Sequence, residues 1–317
     1  MDHRQQASRR LRAAHISPLP ACIALIVLLV ASAAADEAAP EPAPPKPTST
    51  AAEQSDAGPP ERDRGEPLWE IGAVGGGGWL PDYPAAGQNH WNGIALPYAI
   101  YRGDFLQVGE RGIVRGLLLD LRNVEFDLSA DAAFPVDSSD NGAREGMSDL
   151  DTLFEIGPKL TYKFLPRGSG QELDLSLATR AVLSTDIVNW RYQGFVVNPG
   201  LTWRDERFLD GDLRLVAGIN PLFGFDGLNR YFYQVSPGDA RADRPAYNAD
   251  PGYIGTEITL GASWSPFERV RLFGGIVPGY YKGSANEDSP LYRDDFTIAV
   301  GGGLRVALFQ SERRVPR

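Results

Sequence analysis

From Phe296 to Phe309 the chain reads FTIAVGGGLRVALF. In an extended strand Phe296, Ile298, Val300, Leu304, Val306 and Leu308 share one face, and Thr297, Gly301, Gly303 and Arg305 share the other. A strand of this length, apolar on one side and ending in an aromatic, is what a transmembrane β-barrel uses to cross a membrane and close its sheet. The same alternation recurs upstream. Val124, Phe126, Leu128 and Ala130 interleave with Glu125, Asp127, Ser129 and Asp131, and Phe154, Ile156, Leu160 and Tyr162 interleave with Glu155, Lys159, Thr161 and Lys163. Leu173, Leu175 and Leu177 oppose Asp174, Ser176 and Arg180, while Ile254, Ile258, Leu260 and Trp264 oppose Glu257, Thr259 and Ser263.

Alternation alone fits a soluble sandwich as well as a barrel, and the connections separate the two. Backward from Phe309 they alternate: 283–294 long, 265–268 short, 221–252 very long, 205–210 short, 186–192 intermediate, 166–170 short, 136–151 long, 122–123 tight. Short turns on one side and long loops on the other are the asymmetry of an outer-membrane barrel, whose turns face the periplasm. The expected fold class is therefore all-β, a transmembrane antiparallel up-and-down β-barrel of about twelve strands, with a range of roughly ten to fourteen. Strands are expected near 69–77, 94–101, 105–109, 112–121, 124–135, 153–165, 171–185, 193–204, 211–221, 253–264, 269–282 and 296–309. Splitting 94–109 at Arg102-Gly103-Asp104 keeps the count even, which places both chain ends in the periplasm. Phe309 falls out of phase with its own strand, and a bulge at Gly301-Gly302-Gly303 would reset the phase.

The region before the strands has a different character. Arg4, Arg9, Arg10 and Arg12 precede an apolar run at Ile23–Val30 and small residues at Ala33-Ala34-Ala35, which reads as a secretory signal peptide over 1–35. Residues 36–67 are rich in Pro, Ala and Glu without apolar periodicity, and are expected to be a disordered periplasmic tether. The barrel is expected over 68–309, with a short tail at 310–317. Removing the signal's four Arg and one Asp takes the formal charge from −10 to −13 and removes Cys22, the one cysteine. An acidic chain without cysteine excludes disulfide scaffolds and thiolate chemistry, and argues against a nucleic-acid partner. No run in 68–317 approaches a membrane-spanning helix in length.

Candidate chemistry is sparse. His90 is the one histidine beyond the signal, so any Ser-His-Asp hydrolase, including a lipid-modifying enzyme, would have to use it. No serine sits in a recognisable nucleophile context, and the reading is non-enzymatic with no cofactor. Asp137–Gly142 resembles the start of a calcium loop, but its twelfth position is Ser148 where a bidentate Glu is needed. Trp69, Trp190, Trp203 and Trp264 lie near strand ends, as interfacial aromatics do.

Several motifs, in order, resemble the MipA/OmpV family of outer-membrane proteins. They are Gly75–Gly78 followed by Pro81-Asp82-Tyr83, Leu96-Pro97-Tyr98 with Tyr101-Arg102-Gly103-Asp104-Phe105, the segment from Asn229 through Tyr231 and Phe232 to Ser236, Tyr247-Asn248-Ala249, and Asp288-Ser289-Pro290-Leu291. The longer tether and the tail after Phe309 depart from the family pattern. The resemblance implies a scaffold joining a lytic transglycosylase to a peptidoglycan synthase at the cell outer membrane, among lipid and lipopolysaccharide. Most of the motifs, however, fall on the long-loop side, away from murein. Two functions therefore stand: a scaffold or anchor for envelope assembly, and a narrow or gated channel. In the channel, Glu125, Asp127, Asp131, Glu155, Lys159, Lys163, Asp174 and Arg180 line a mixed-charge lumen.

Overall fold

The computed structural model describes residues 66–315 except 103–105, 109–114, 117–119, 122, 166–168, 210–212 and 226. The signal segment, most of the tether, and Gly103 and Asp104 thus lie outside the described residues. The strands are β1 (Glu66–Pro67), β2 (Trp69–Pro81), β3 (Asn89–Arg102), β4 (Leu106–Val108), β5 (Arg115–Gly116), β6 (Asp120–Leu121), β7 (Val124–Ala133), β8 (Thr152–Lys163), β9 (Gln171–Thr185), β10 (Trp190–Phe208), β11 (Leu213–Phe225), β12 (Gly252–Phe267), β13 (Val270–Tyr280), β14 (Phe296–Gln310) and β15 (Arg314–Val315). A helix, α1 (Gly227–Tyr233), lies between β11 and β12.

One antiparallel sheet runs in the order β5-β4-β3-β2-β14-β13-β12-β11-β10-β9-β8-β7-β6. Sequential strands are neighbours, and β14 returns to pair with β2, so the sheet curls until the chain's last long strand meets its first. The two ends of the order, β5 and β6, both fall within 112–121, which the alternation reads as one strand. Among the described residues the order has thirteen places, ten of them filled by long strands.

The sheet is inside-out relative to a soluble protein. Phe154, Ile156, Leu160, Leu177, Ile219 and Leu304 are exposed on the outer face. Glu70, Asp127, Lys163, Asp174, Arg204, Arg214 and Arg305 are buried on the inner one. Only a hydrocarbon surround makes that arrangement favourable, because in water it would expose the apolar face and desolvate the charges. Aromatics mark both rims: Trp79, Trp91, Trp190, Tyr280 and Phe296 at the long-loop end, and Trp69, Tyr101, Phe164, Trp264 and Phe309 at the short-turn end. No helix among the described residues is long and apolar enough to cross a membrane.

Three expectations need correction. Gly301, Gly302 and Gly303 pair in unbroken register with Gly78, Gly77 and Gly76, so no bulge lies there. The irregularity falls between Ala307 and Phe309 instead, and it turns both Leu308 and Phe309 outward. The segment read as a long loop from 221 to 252 contains the end of β11 and all of α1. Finally, Glu66 and Pro67, read as tether, pair as β1 with Val315 and Arg314 of the tail. Polar composition hid this strand, because its partner is a charged interior rather than an apolar core.

Close strand approach is visible at Gly157 on the inner face of β8, where a Cβ would overlap the Thr179 carbonyl and crowd Arg180 Cα. The obstacle is backbone and cannot swing aside. Gly157→Ala is expected to destabilise the barrel by on the order of 3 kcal/mol, measured as a shift in the urea midpoint of the folded, heat-modifiable band; an unchanged midpoint would show that the strands separate easily.

Candidate functional site

The site is the barrel interior together with the loops that close it. At the long-loop end, four connections interlock. Asp82 pairs with His90 at 2.6 Å through one oxygen and accepts from Asn141 Nδ2 at 2.6 Å through the other, joining 82–88 to 134–151. Tyr83 Oη donates to the Leu291 carbonyl at 2.8 Å, and Tyr233 Oη donates to the Pro84 carbonyl at 3.0 Å. Ser289 Oγ donates to the Tyr233 carbonyl, Tyr231 Oη to that of Asp151, and Asn229 Nδ2 to that of Asp250. Arg144 lies 5.9 Å from the Tyr83 ring and reaches the Phe232 carbonyl. Beneath these bonds Tyr83, Leu228, Phe232 and Tyr233 pack on Val182, Val196 and Ile254 of the strands.

The motif residues therefore divide by position. Asp82, Tyr83, Asn229, Tyr231, Phe232 and Ser289 meet in this roof, with Pro81 ending β2 beside it, while Asp288 is exposed and Pro290 half-buried at its edge. Tyr101 and Arg102 are elsewhere, at the short-turn end: Tyr101 faces lipid opposite Trp69, and Arg102 points inward. His90 is spent on the Asp82 contact, and Asp137 and Asn141 of the calcium-like loop hydrogen-bond within and between loops. Among the described residues no His, Cys, Asp and Glu cluster could hold a metal.

The roof tyrosines titrate late. Burial pushes the Tyr83 hydroxyl up to about 12, against the lowering pull of Arg144, and burial raises Tyr231 and Tyr233 as well. Each of these groups is more easily ionised in the unfolded chain. Their contribution is complete below pH 10 and is lost as pH climbs from 10 toward 12, on the order of 2 kcal/mol for Tyr83. Absorbance titration of tyrosinate in micelles is expected to show a subset ionising only as the barrel unfolds; a single transition at the ordinary value in folded protein would contradict the packing.

The eight charged positions read as lumen-lining all lie on the inner face, on β7, β8 and β9. Lys159 sits across from Asp127, and Lys163 across from Asp174. Lys163 pairs with Glu125 at 3.3 Å, and Arg180 holds Glu155 at 2.9 Å and Asp131 at 3.7 Å. Arg204 bonds Asp174 at 2.7 Å. Several of these side chains thus cross-link neighbouring strands of the wall.

The short-turn end carries a buried ion network. Glu66 reaches Arg102 of β3 at 3.0 Å, Arg214 of β11 at 3.3 Å and Arg271 of β13 at 3.9 Å. Glu70 adds Arg102 and Arg305, and accepts from Tyr98 Oη. Glu66 was missed because it belongs to a segment without periodicity. Arg305 was placed on the polar face from sequence; Glu70, Arg214 and Arg271 were not singled out, although each interrupts an apolar alternation at the inward phase, the signal that could have found them.

An apolar exterior, a charged interior and closure of the last long strand on the first define an outer-membrane β-barrel. The chain belongs to the MipA family, described as MltA-interacting protein MipA, whose pattern matches residues 71–306. It is an outer-membrane protein. No curated protein matches the chain. Among solved structures, the outer membrane protein OprG from Pseudomonas aeruginosa is similar over 78% of this chain and 92% of that one, at 7% identity and a TM-score of 0.19, too low to bear on fold or function.

Proposed function

We propose that this barrel is a non-enzymatic, non-conducting anchor that presents a periplasmic surface to peptidoglycan-assembly enzymes, with a lytic transglycosylase as the first partner. The observation that carries this reading is the Glu66 clamp. It fixes the chain's entry to the short-turn end, beside β15 and the β12–β13 turn, where Arg314 pairs with Glu268 at 3.1 Å. On this reading the tether that precedes Glu66 joins the barrel on the periplasmic side, where Glu268, Arg269, Glu312 and Arg313 are exposed. The family's printed description supports a transglycosylase partner, and the roof's interlocking bonds account for motifs on the opposite side without a partner there. The channel reading has less support, because several of its lumen charges pair with one another across the strands.

Photo-crosslinkers placed at Glu268 and Arg313 in intact cells, followed by mass spectrometry, test the proposal. Recovery of a lytic transglycosylase or a peptidoglycan synthase is expected, and it should weaken when residues 36–65 are deleted, a cut that spares Glu66. Recovery of porins and lipopolysaccharide alone would overturn it.

A further inference from the structure

We propose that the chamber beneath the roof binds a small free organic ammonium ion, with the Glu257 carboxylate as its counter-ion. The inference is independent of the scaffold reading, because it concerns the opposite half of the barrel.

The chamber holds about 190 Å³. That is somewhat more than the ~150 Å³ cavity that accommodates benzene in an engineered protein, so a guest of roughly six to ten non-hydrogen atoms fits. Its upper wall is largely apolar and aromatic, supplied by Leu228, Tyr231 and Phe232 of α1 and by Tyr83, with Asp82 and Asp151 at its edge. Its lower wall carries Asp131, Glu155, Glu257 and Arg180. One guanidinium therefore serves two carboxylates, while the third is left over. Glu257 accepts from Tyr281 Oη at 3.2 Å, and no cationic side chain is paired with it among the described residues.

A carboxylate facing a partly open, largely apolar space without a counter-ion is costly, and the cost is relieved either by a proton or by a cation. A guest cation relieves that cost, and the aromatic faces around it favour methylated or methylene-bearing ammonium through cation–π attraction. The lining also excludes other guests. Hard divalent cations take six or more oxygens, which an apolar roof does not provide. Anions meet five acidic residues against one arginine in the lining, and a diacyl lipid exceeds the volume. Because the roof is made of loops rather than strands, entry is from the long-loop side.

Calorimetric titration of the full-length protein in micelles tests the assignment, using choline and phenethylamine as probes. Each is compared with its neutral counterpart, in which carbon or hydroxyl replaces the nitrogen. At least one cation is expected to bind saturably and at least about tenfold more tightly than its neutral counterpart. Glu257→Gln is expected to remove that preference while the protein stays heat-modifiable. The proposal is overturned if neither cation binds, if the neutral counterparts bind equally, or if folded Glu257→Gln protein binds the cation as tightly as wild type. The cation-against-neutral comparison needs only wild-type protein, so it decides the matter even if the variant does not fold.

Discussion

Glu66→Ala is expected to lower the unfolding free energy by about 3–5 kcal/mol, the cost of removing one partner from a buried ion network. The acidic side chain is 8% exposed, and its partners Arg102, Arg214 and Arg271 are between 5% and 11% exposed. Without it three guanidiniums from three strands lose a shared carboxylate, although Glu70 still pairs with Arg102 and Glu206 with Arg214. Arginines so buried cannot shed their charge, so their repulsion persists at any working pH. Glu66→Gln keeps the shape and one acceptor, and should lose less. Urea titration of protein folded into vesicles, followed by electrophoretic mobility, reads both variants. A loss below about 1 kcal/mol for the alanine variant would mean that β1 lies on the barrel without closing it.

The second large effect is at the roof. Tyr233 is fully buried, packs edge-on to Phe232 at 6.1 Å between ring centres, and donates to Pro84 from across the mouth. Its own carbonyl holds Ser289 at 2.8 Å. Tyr233→Ala is expected to cost about 3–5 kcal/mol, the usual loss for deleting a buried aromatic. Tyr233→Phe removes only the hydroxyl bond and should cost about 1 kcal/mol. Protease sensitivity of the long loops gives a second readout. The alanine variant should be cleaved in 226–251 and 281–295 while its strands stay protected, since those loops depend on the tyrosine more than the sheet does. Equal resistance in both variants would show that the loops hold the roof without it.

Strand positions were legible because lipid outside and charge inside impose a strict period of two, and that period survives in β7, β8, β9, β12 and β14. Boundaries were less so. β3 begins at Asn89 rather than near 94, and β10 runs from Trp190 to Phe208 rather than 193–204, because barrel strands extend past the membrane wherever a neighbour still offers hydrogen bonds. The bulge at Leu308 could not be read from composition, since it lies between large apolar residues and not at the glycines. The roof motifs were visible as motifs, yet their role depends on contacts between residues up to 208 positions apart, such as Tyr83 with Leu291. α1 is only seven residues long, too short for a periodic signal, although Leu228 and Phe232 are spaced one turn apart. Glu257 shows the same limit: its inward phase was legible, but its lack of a cationic partner was not.

Conductance across a planar lipid bilayer tests the sealed barrel most directly. Full-length protein, shown to be inserted and folded, should carry no steady current at either polarity if, as proposed, the roof loops cover one end and the Glu66 network the other. A steady, ohmic current through each inserted copy would contradict the sealed barrel and return the charged interior to the role of a channel.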